Sequence, residues 1–468
     1  MSVTVKHSGR LISVFKNLLP SPFTIAILLT IVTLLLAQFV SKPESEPHFE
    51  FFIKTVTSWE SGLWDSSAGG LYFAFQMMMI LVLGHILALT TVVDRLIQLL
   101  LKYCNTTASS VVTVAAGSIV LGLINWGLGL IFGAIMARKV GEKFAREKKL
   151  LNYGLVGAAA YSTMMVWHGG LSGSATTKSM ENGYISEMME KANITGNFPS
   201  SIPFDLTIGS TLNIVIALSC LILIPAFLYF IAKRTKNESV PKFDDEFAHS
   251  LKSENEQIEG AERLDYSNIL GMGLGIAFLM LGIYRAFQYQ GSSTLGFIQL
   301  NYINFIFLGL SLLLHKNIRN FLKSLDIAIN DVSGILIQFP LYFGILAIMQ
   351  NSGLIILFSD TITSIANSHT LPFFTFLSAG AVNMFIPSGG GQWAVQGPIV
   401  IETAARLGAD LPKTILAMAY GDQWTNMLQP FWALPLLGIT KLKPQQLLPY
   451  SFLVLILGLL IFGIGLLI

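Results

Sequence analysis

The sequence predicts an all-α polytopic membrane protein with inverted-topology repeats: about nine transmembrane helices, two re-entrant helical hairpins and two broken helices. Three observations lead there. The 468 residues are 53% hydrophobic and only 12% charged, with a mean hydropathy of +0.63, whereas a soluble domain carries about 25% charged residues. Apolar runs recur along the chain, each near the ~20 residues that cross a bilayer. Gly-rich breaks interrupt such runs at corresponding places in the two halves, and paired breaks of this kind mark a transporter's binding site.

The same composition narrows the function. A net charge of +2 gives no electrostatic footprint for a nucleic-acid partner. Cys104 and Cys220 are the only cysteines and lie in or beside apolar runs, so no disulfide framework is implied. No His/Cys cluster suggests a transition metal, and no GxxxxGK[ST] motif suggests ATP. No cofactor is expected beyond H⁺ or Na⁺ as a coupling ion. A carrier of another small organic anion (a dicarboxylate or an amino-acid derivative) and an anion channel stay open, whereas an intramembrane enzyme using Asp422 and His168 would not need paired breaks and none is expected.

Full spans are expected near 20–40, 70–92, 150–168, 205–232, 267–287, 299–315, 332–350, 413–437 and 446–468. Lys6, Arg10 and Lys16 precede the first; the run from Pro22 to Val40 is too long for a signal-peptide core and reads as a retained span. Two further stretches, 108–137 and 371–401, each hold a short apolar run, a break and another short run. A hairpin that enters and leaves on one side fits them better than a single crossing, because backbone freed at a break must be buried in protein or line a cavity.

Basic residues orient this layout. With the N-terminus cytoplasmic, 22 of the 29 Lys and Arg fall on the inner side and 7 outside, as the positive-inside rule requires. The cluster Arg138 to Lys149 contributes most densely. The C-terminus then lies on the outer side. The first hairpin enters from the cytoplasm and the second from outside.

The halves echo each other. Residues 1–232 form the first repeat, with hairpin 108–137 and broken helix 150–175; residues 299–468 form the second, with hairpin 371–401 and broken helix 413–437. Gln76 and Gln338 stand 262 residues apart, Asn125 and Asn383 stand 258 apart. The first half starts inward-to-outward and the second outward-to-inward. Residues 233–298 supply a cytoplasmic linker and an extra transmembrane helix that permits the inversion, which suits alternating access around a midplane site.

Four breaks should converge there: Asn125-Trp126-Gly127-Leu128-Gly129, Trp167-His168-Gly169-Gly170-Leu171-Ser172-Gly173-Ser174, Asn383 through Gln392, and Gly421 through Pro430. Glycine lets a ligand approach the main chain, and the half-helix after each break offers free N–H groups and a positive dipole end to an anion. The spans hold almost no Lys or Arg, so a small carboxylate held by backbone and hydroxyl groups fits. The substrate-binding candidates are Asn125, Gly127, Gly129, Gly169, Gly170, Ser172, Ser388, Gly389, Gly390, Gly391, Gln392, Trp393, Trp424 and Asn426. Close helix packing by small residues is the competing explanation for any one of these clusters.

Asp422 is the sharpest single residue, since a carboxylate within an apolar span is costly and functional by default. With Asn383, Thr425 and His168 it forms the coupling candidates. A Na⁺ site near Asn125, Asn383 and Asp422 is also open, and the residue pattern does not separate Na⁺ from H⁺. His85 reads equally as a relay or as a packing residue. Trp126, Trp167, Trp393, Trp424 and Trp432 fall in or near the breaks and suggest walls of an amphipathic pocket.

At these residues the chain resembles the short-chain fatty acid transporter family. The resemblance rests on Ile124-Asn125-Trp126-Gly127-Leu128-Gly129-Leu130, Pro387-Ser388-Gly389-Gly390-Gly391-Gln392-Trp393, Gln396-Gly397-Pro398, Ala419-Tyr420-Gly421-Asp422-Gln423-Trp424 and Gln429-Pro430-Phe431-Trp432-Ala433-Leu434-Pro435, with Gly84-His85 and Gln338-Phe339-Pro340. It implies an inner-membrane permease for acetoacetate- or butyrate-like acids, built as a homodimer with an elevator-like transport domain. Two positions depart: the family often has Glu where Asp422 stands and Gly where His168 stands.

Overall fold

The computed structural model describes residues 21–64, 71–191, 194–238, 260–289, 300–354, 364–385 and 389–468, together with residues 240, 297, 356–357 and 361. Among the described residues there is no strand; one isolated bridge joins Leu151 to Glu238. Five described helices are long and apolar enough to cross a membrane: Phe23–Ser41, Thr107–Ile124, Thr211–Arg234, Asn268–Gln288 and Pro444–Leu467. Shorter apolar helices lie between them. The protein is a multi-pass, helical membrane protein.

In chain order the first half holds α1 (Pro22–Leu36), α2 (His48–Leu63), α3 (Leu71–Ala88), α4 (Thr91–Leu101), α5 (Thr107–Ile124), α6 (Trp126–Arg146), α7 (Tyr153–Tyr161), α8 (Ser174–Ser179), α9 (Tyr184–Lys191) and α10 (Thr211–Arg234). After α11 (Asn268–Gln288), the second half holds α12 (Leu300–His315), α13 (Ile318–Ala328), α14 (Ser333–Asn351), α15 (Leu371–Asn383), α16 (Gly389–Leu407), α17 (Leu411–Thr425), α18 (Pro430–Thr440) and α19 (Pro444–Leu467).

Packing crosses between the halves in matched pairs. Helix α3 lies on α12, and α14 lies on α1. Helix α6 lies on α18, and α16 lies on α8. Exposed apolar side chains on α1, α10 and α11, such as Leu35, Ile222 and Phe287, are what lipid-facing surfaces require, since burial from water is supplied by the bilayer.

The segments 108–137 and 371–401 each hold two helices that pack on each other, α5 with α6 and α15 with α16. Helices α5 and α6 close on each other at Gly122 and Gly129: a Cβ on Gly129 would stand 2.6 Å from the Gly122 nitrogen. Only glycine permits that approach. In the second pair, Gln392 Nε2 on α16 donates to the Ala379 carbonyl on α15 at 2.9 Å, and Gln396 Nε2 to Ser378 Oγ at 3.0 Å.

The structure corrects several expected boundaries. Helix α6 runs on to Arg146, through the basic cluster read as a loop. Its charges find local partners: Arg138 Nε pairs with Glu142 at 3.0 Å, and Lys143 Nζ takes the Leu101 and Cys104 carbonyls at 2.8 and 2.9 Å, capping α4. Helices α2, α4 and α13 occupy segments read as connections. The first broken helix unwinds at Ser162, earlier than expected, through 3₁₀ turns at Ser162–Met165 and Trp167–Gly169. The second stays helical through Thr425 and unwinds at Asn426–Leu428. Most of the linker 233–266, Lys6, Arg10, Lys16 and Ser388 lie outside the described residues.

Candidate functional site

The two unwound segments meet, and each is braced by a side chain from the other half. Gln423 Oε1 on α17 accepts the backbone N–H of His168 at 2.8 Å and of Gly169 at 3.2 Å. Tyr161 at the end of α7 donates its hydroxyl to the Asn426 carbonyl at 2.7 Å, with the Gln429 carbonyl at 3.1 Å. Asn213 on α10 adds a third strut, donating to the Gly169 carbonyl at 2.8 Å while accepting from Tyr420 Oη at 2.9 Å. Buried backbone groups released by unwinding require such partners.

Asp422 sits at the centre, 1% exposed, with both carboxylate oxygens lacking a hydrogen-bond partner among the described residues. His168, wholly buried, faces it: Nδ1 lies 3.5 Å from Oδ1. The other ring nitrogen, Nε2, accepts the Ala175 N–H at 2.9 Å. An accepting Nε2 cannot carry a proton, so the neutral ring holds its proton on Nδ1, aimed at Asp422. The start of α16 closes the site from the second hairpin. A Cβ on Gly389 would meet Trp167 at 2.7 Å, His168 Cε1 at 3.0 Å and Asp422 Oδ2 at 3.2 Å. Among the described residues, a Cβ on Gly390 would have only Ser174 nearby, at 3.8 Å. The site thus brings a buried carboxylate, an imidazole and a helix start together.

The family model described as "Short chain fatty acid transporter" matches residues 4–468. The chain belongs to the short-chain fatty acid transporter family. It is 35% identical over 453 residues to an Escherichia coli (strain K12) protein named "Putative short-chain fatty acid transporter", covering 96% of each chain. A Haemophilus influenzae protein of the same name is 35% identical over 471 residues, covering 99% of each. Among solved structures, the Alcanivorax borkumensis YdaH transporter is 15% identical, with 95% of this chain and 98% of that one covered, at a TM-score of 0.42. Neisseria gonorrhoeae MtrF is 17% identical, with 97% of both chains covered, at 0.39.

In this member of the short-chain fatty acid transporter family, the first hairpin tip is saturated from within. Asn125 Oδ1 accepts from the Gly127 and Leu128 amides at 2.9 and 3.1 Å, Ser172 Oγ accepts from the Trp126 amide at 3.0 Å, and the Gly129 amide reaches the Asn125 carbonyl at 3.0 Å. The free N–H groups expected of α6 are therefore already used, and Asn125 Oδ1 has no capacity left for Na⁺. Gly170 packs against Leu123 of the same tip.

Asn383, Thr425 and Asn426 form one hydrogen-bonded knot. Asn383 Nδ2 donates to the Asp422 carbonyl at 2.6 Å and Asn426 Oδ1 at 2.8 Å, with Thr425 Oγ1 at 3.0 Å; Gln429 Nε2 bonds the Asn383 carbonyl. Gln392 is committed to the second hairpin. Gly389, Gly390 and Gly391 form the first turn of α16. Gly421, expected to be a break, packs in helix against Phe376 and Ala379 of α15.

The tryptophans divide. Trp126, Trp167 and Trp432 cluster, with ring centroids 5.0 to 6.3 Å apart, and Trp167 stacks on His168 at 4.4 Å. Trp424 instead packs on Phe376 and donates to the Leu455 carbonyl at 2.8 Å. Trp393 joins a separate apolar cluster with Ile401 and Met418. Of the bracing residues, sequence alone marks Tyr161 and Asn213 only as a lone hydroxyl and a lone amide in apolar runs, whereas Tyr420 and Gln423 fall in the quoted motif without an assigned role.

Proposed function

We propose that the chain is a secondary active transporter for short monocarboxylates such as acetate, butyrate and acetoacetate, coupled to H⁺ carried at Asp422. The observation that carries this reading is Asp422 itself: buried, unpartnered, facing His168, and set where two unwound segments and the start of α16 meet. Such a carboxylate is costly to keep without a function. Family membership supports the substrate class, and the names of the two relatives agree with it.

Inverted repeats are supported by the matched packing of α3 on α12 with α14 on α1, and of α6 on α18 with α16 on α8. The braces between the breaks favour their movement as one body, as an elevator requires. A re-entrant disposition of both hairpins, a homodimer and an inner-membrane location with a cytoplasmic N-terminus complete the proposal.

Uptake of radiolabelled butyrate and acetoacetate into proteoliposomes, under a pH gradient or a Na⁺ gradient imposed separately, tests it. Concentrative uptake driven by the pH gradient is expected. Uptake driven by Na⁺ alone would replace the ion; downhill flux insensitive to either gradient would indicate a channel. No uptake by folded protein would remove the substrate class in favour of another organic anion, such as a dicarboxylate.

A further inference from the structure

The two oxygens of Asp422 look toward different neighbours. Oδ1 faces His168 Nδ1 at 3.5 Å, whereas Oδ2 is the oxygen 3.2 Å from the Cβ position of Gly389. Neither accepts a hydrogen bond from the described residues. Helix α16 spans 19 residues from Gly389, so its positive dipole end lies against an unpartnered carboxylate oxygen. The adjoining position, Gly390, opens toward Ser174 rather than into packed atoms. A ligand carboxylate drawn to the start of α16 through that opening arrives beside Asp422 Oδ2.

Two buried carboxylates at close range do not both stay ionised; they hold one proton between them. We propose that the transported monocarboxylate and Asp422 share a single proton at the N-terminus of α16, so that substrate binding itself takes up the coupling proton. This rests on the reading of the chain as a monocarboxylate carrier. The balance is simple. One substrate carboxylate, ionised Asp422 and one proton from water give a hydrogen-bonded pair with one negative charge, the charge Asp422 carried alone. No covalent bond forms or breaks. Release on the far side returns the anion and the proton to water and leaves Asp422 ionised. Each cycle moves one anion with one proton and is electroneutral.

Among the described residues no other charged group on the elements around Asp422 competes for this role; Lys413 stands in the first turn of α17, at the end away from Asp422. His168 Nδ1 faces Oδ1 at 3.5 Å and lies away from Oδ2. Helix α15 and the turns at 162–165 and 426–428 contain no titratable residue. On α16, Glu402 and Arg406 lie in the far half. Lys178 on α8 pairs with Glu181 at 2.8 Å. Tyr420 on α17 is bonded to Asn213, with Cys220 of α10 behind it, and Tyr450 on α19 is bonded to Asn152.

The test is proton uptake on binding. Butyrate is titrated into the purified full-length protein in weakly buffered solution with a pH indicator, and binding is measured calorimetrically in parallel. The expected result is one proton taken up per butyrate bound, with affinity falling about tenfold per pH unit above neutrality, the slope of a single linked proton. Asp422→Asn should bind butyrate with no proton uptake and a flat pH profile, and Asp422→Glu should restore uptake. Accumulation in proteoliposomes should follow the pH gradient and ignore an imposed potassium diffusion potential. Wild-type binding without proton uptake, or unchanged uptake in Asp422→Asn, overturns proton sharing and leaves the carrier reading standing. Absence of butyrate binding to folded wild type overturns the carrier reading itself.

Discussion

Gln423 and His168 are joined across the two halves of the chain: the Gln423 side-chain oxygen accepts the His168 backbone N–H at 2.8 Å and continues to Gly169 at 3.2 Å. One acceptor thus closes two amides that unwinding had released. It also fixes the backbone from which the His168 ring reaches Asp422, the residue preceding Gln423. Replacing the amide by an apolar group of similar length leaves both amides buried without partners, at a cost of about 1–3 kcal/mol. Gln423→Leu is expected to lower the melting temperature in detergent and to reduce gradient-driven uptake. Unchanged melting with unchanged uptake would show that water replaces the brace.

Tyr161 performs the reciprocal service. Its hydroxyl serves the Asn426 and Gln429 carbonyls at the second break, and its ring is wholly buried. Tyr161→Phe keeps the ring and removes only the donor. The loss should be about 1 kcal/mol, the net worth of one buried hydrogen bond. The more telling readout is transport: Vmax should fall more than affinity, because α18 is held less firmly against the first half. An affinity loss with Vmax intact would place the hydroxyl on the substrate instead.

Much of this architecture was legible in the sequence. Asn125 stands between α5 and α6 and Asn383 ends α15, and the segments around His168 and Asp422 do come together. The boundaries went astray where tertiary partners decide. The basic stretch after Arg138 reads as solvated loop until Glu142 and the Leu101 and Cys104 carbonyls are placed around it. Helices α4 and α13 are short and amphipathic, with too few apolar residues to register as spans. Gly421 and Gly129 look alike in sequence, yet one lies mid-helix against α15 and the other lies where two arms of a hairpin touch. Only the neighbouring backbone distinguishes those uses.

Gly389 and Gly390 separate packing from binding. A methyl on Gly389 would press on Trp167, His168 and Asp422, whereas one on Gly390 would enter the opening near Ser174. Gly389→Ala is therefore expected to shift the His168–Asp422 pair and lower thermal stability. Gly390→Ala should melt as wild type and lose affinity for butyrate several-fold; Gly390→Leu should abolish measurable binding. Equal affinity in wild type and Gly390→Leu would move the substrate away from the second hairpin.

Asn125 provides the counter-test at the first hairpin. Its side-chain oxygen caps α6 through the Gly127 and Leu128 amides, and the residue is buried. With Ser172 on the Trp126 amide, no donor of that helix turn is left to hold a ligand. Asn125→Ala removes the cap, at a cost of about 1–2 kcal/mol, and Asn125→Ser returns part of it because a hydroxyl also caps. Stability measured by thermal melting should therefore rank wild type, then Ser, then Ala. Butyrate affinity in the folded fraction should change far less than in Gly390→Ala. Should Asn125→Ala instead keep its melting temperature and lose affinity tenfold, the first hairpin tip would be a ligand contact, and the division of labour between the two hairpins would be reversed.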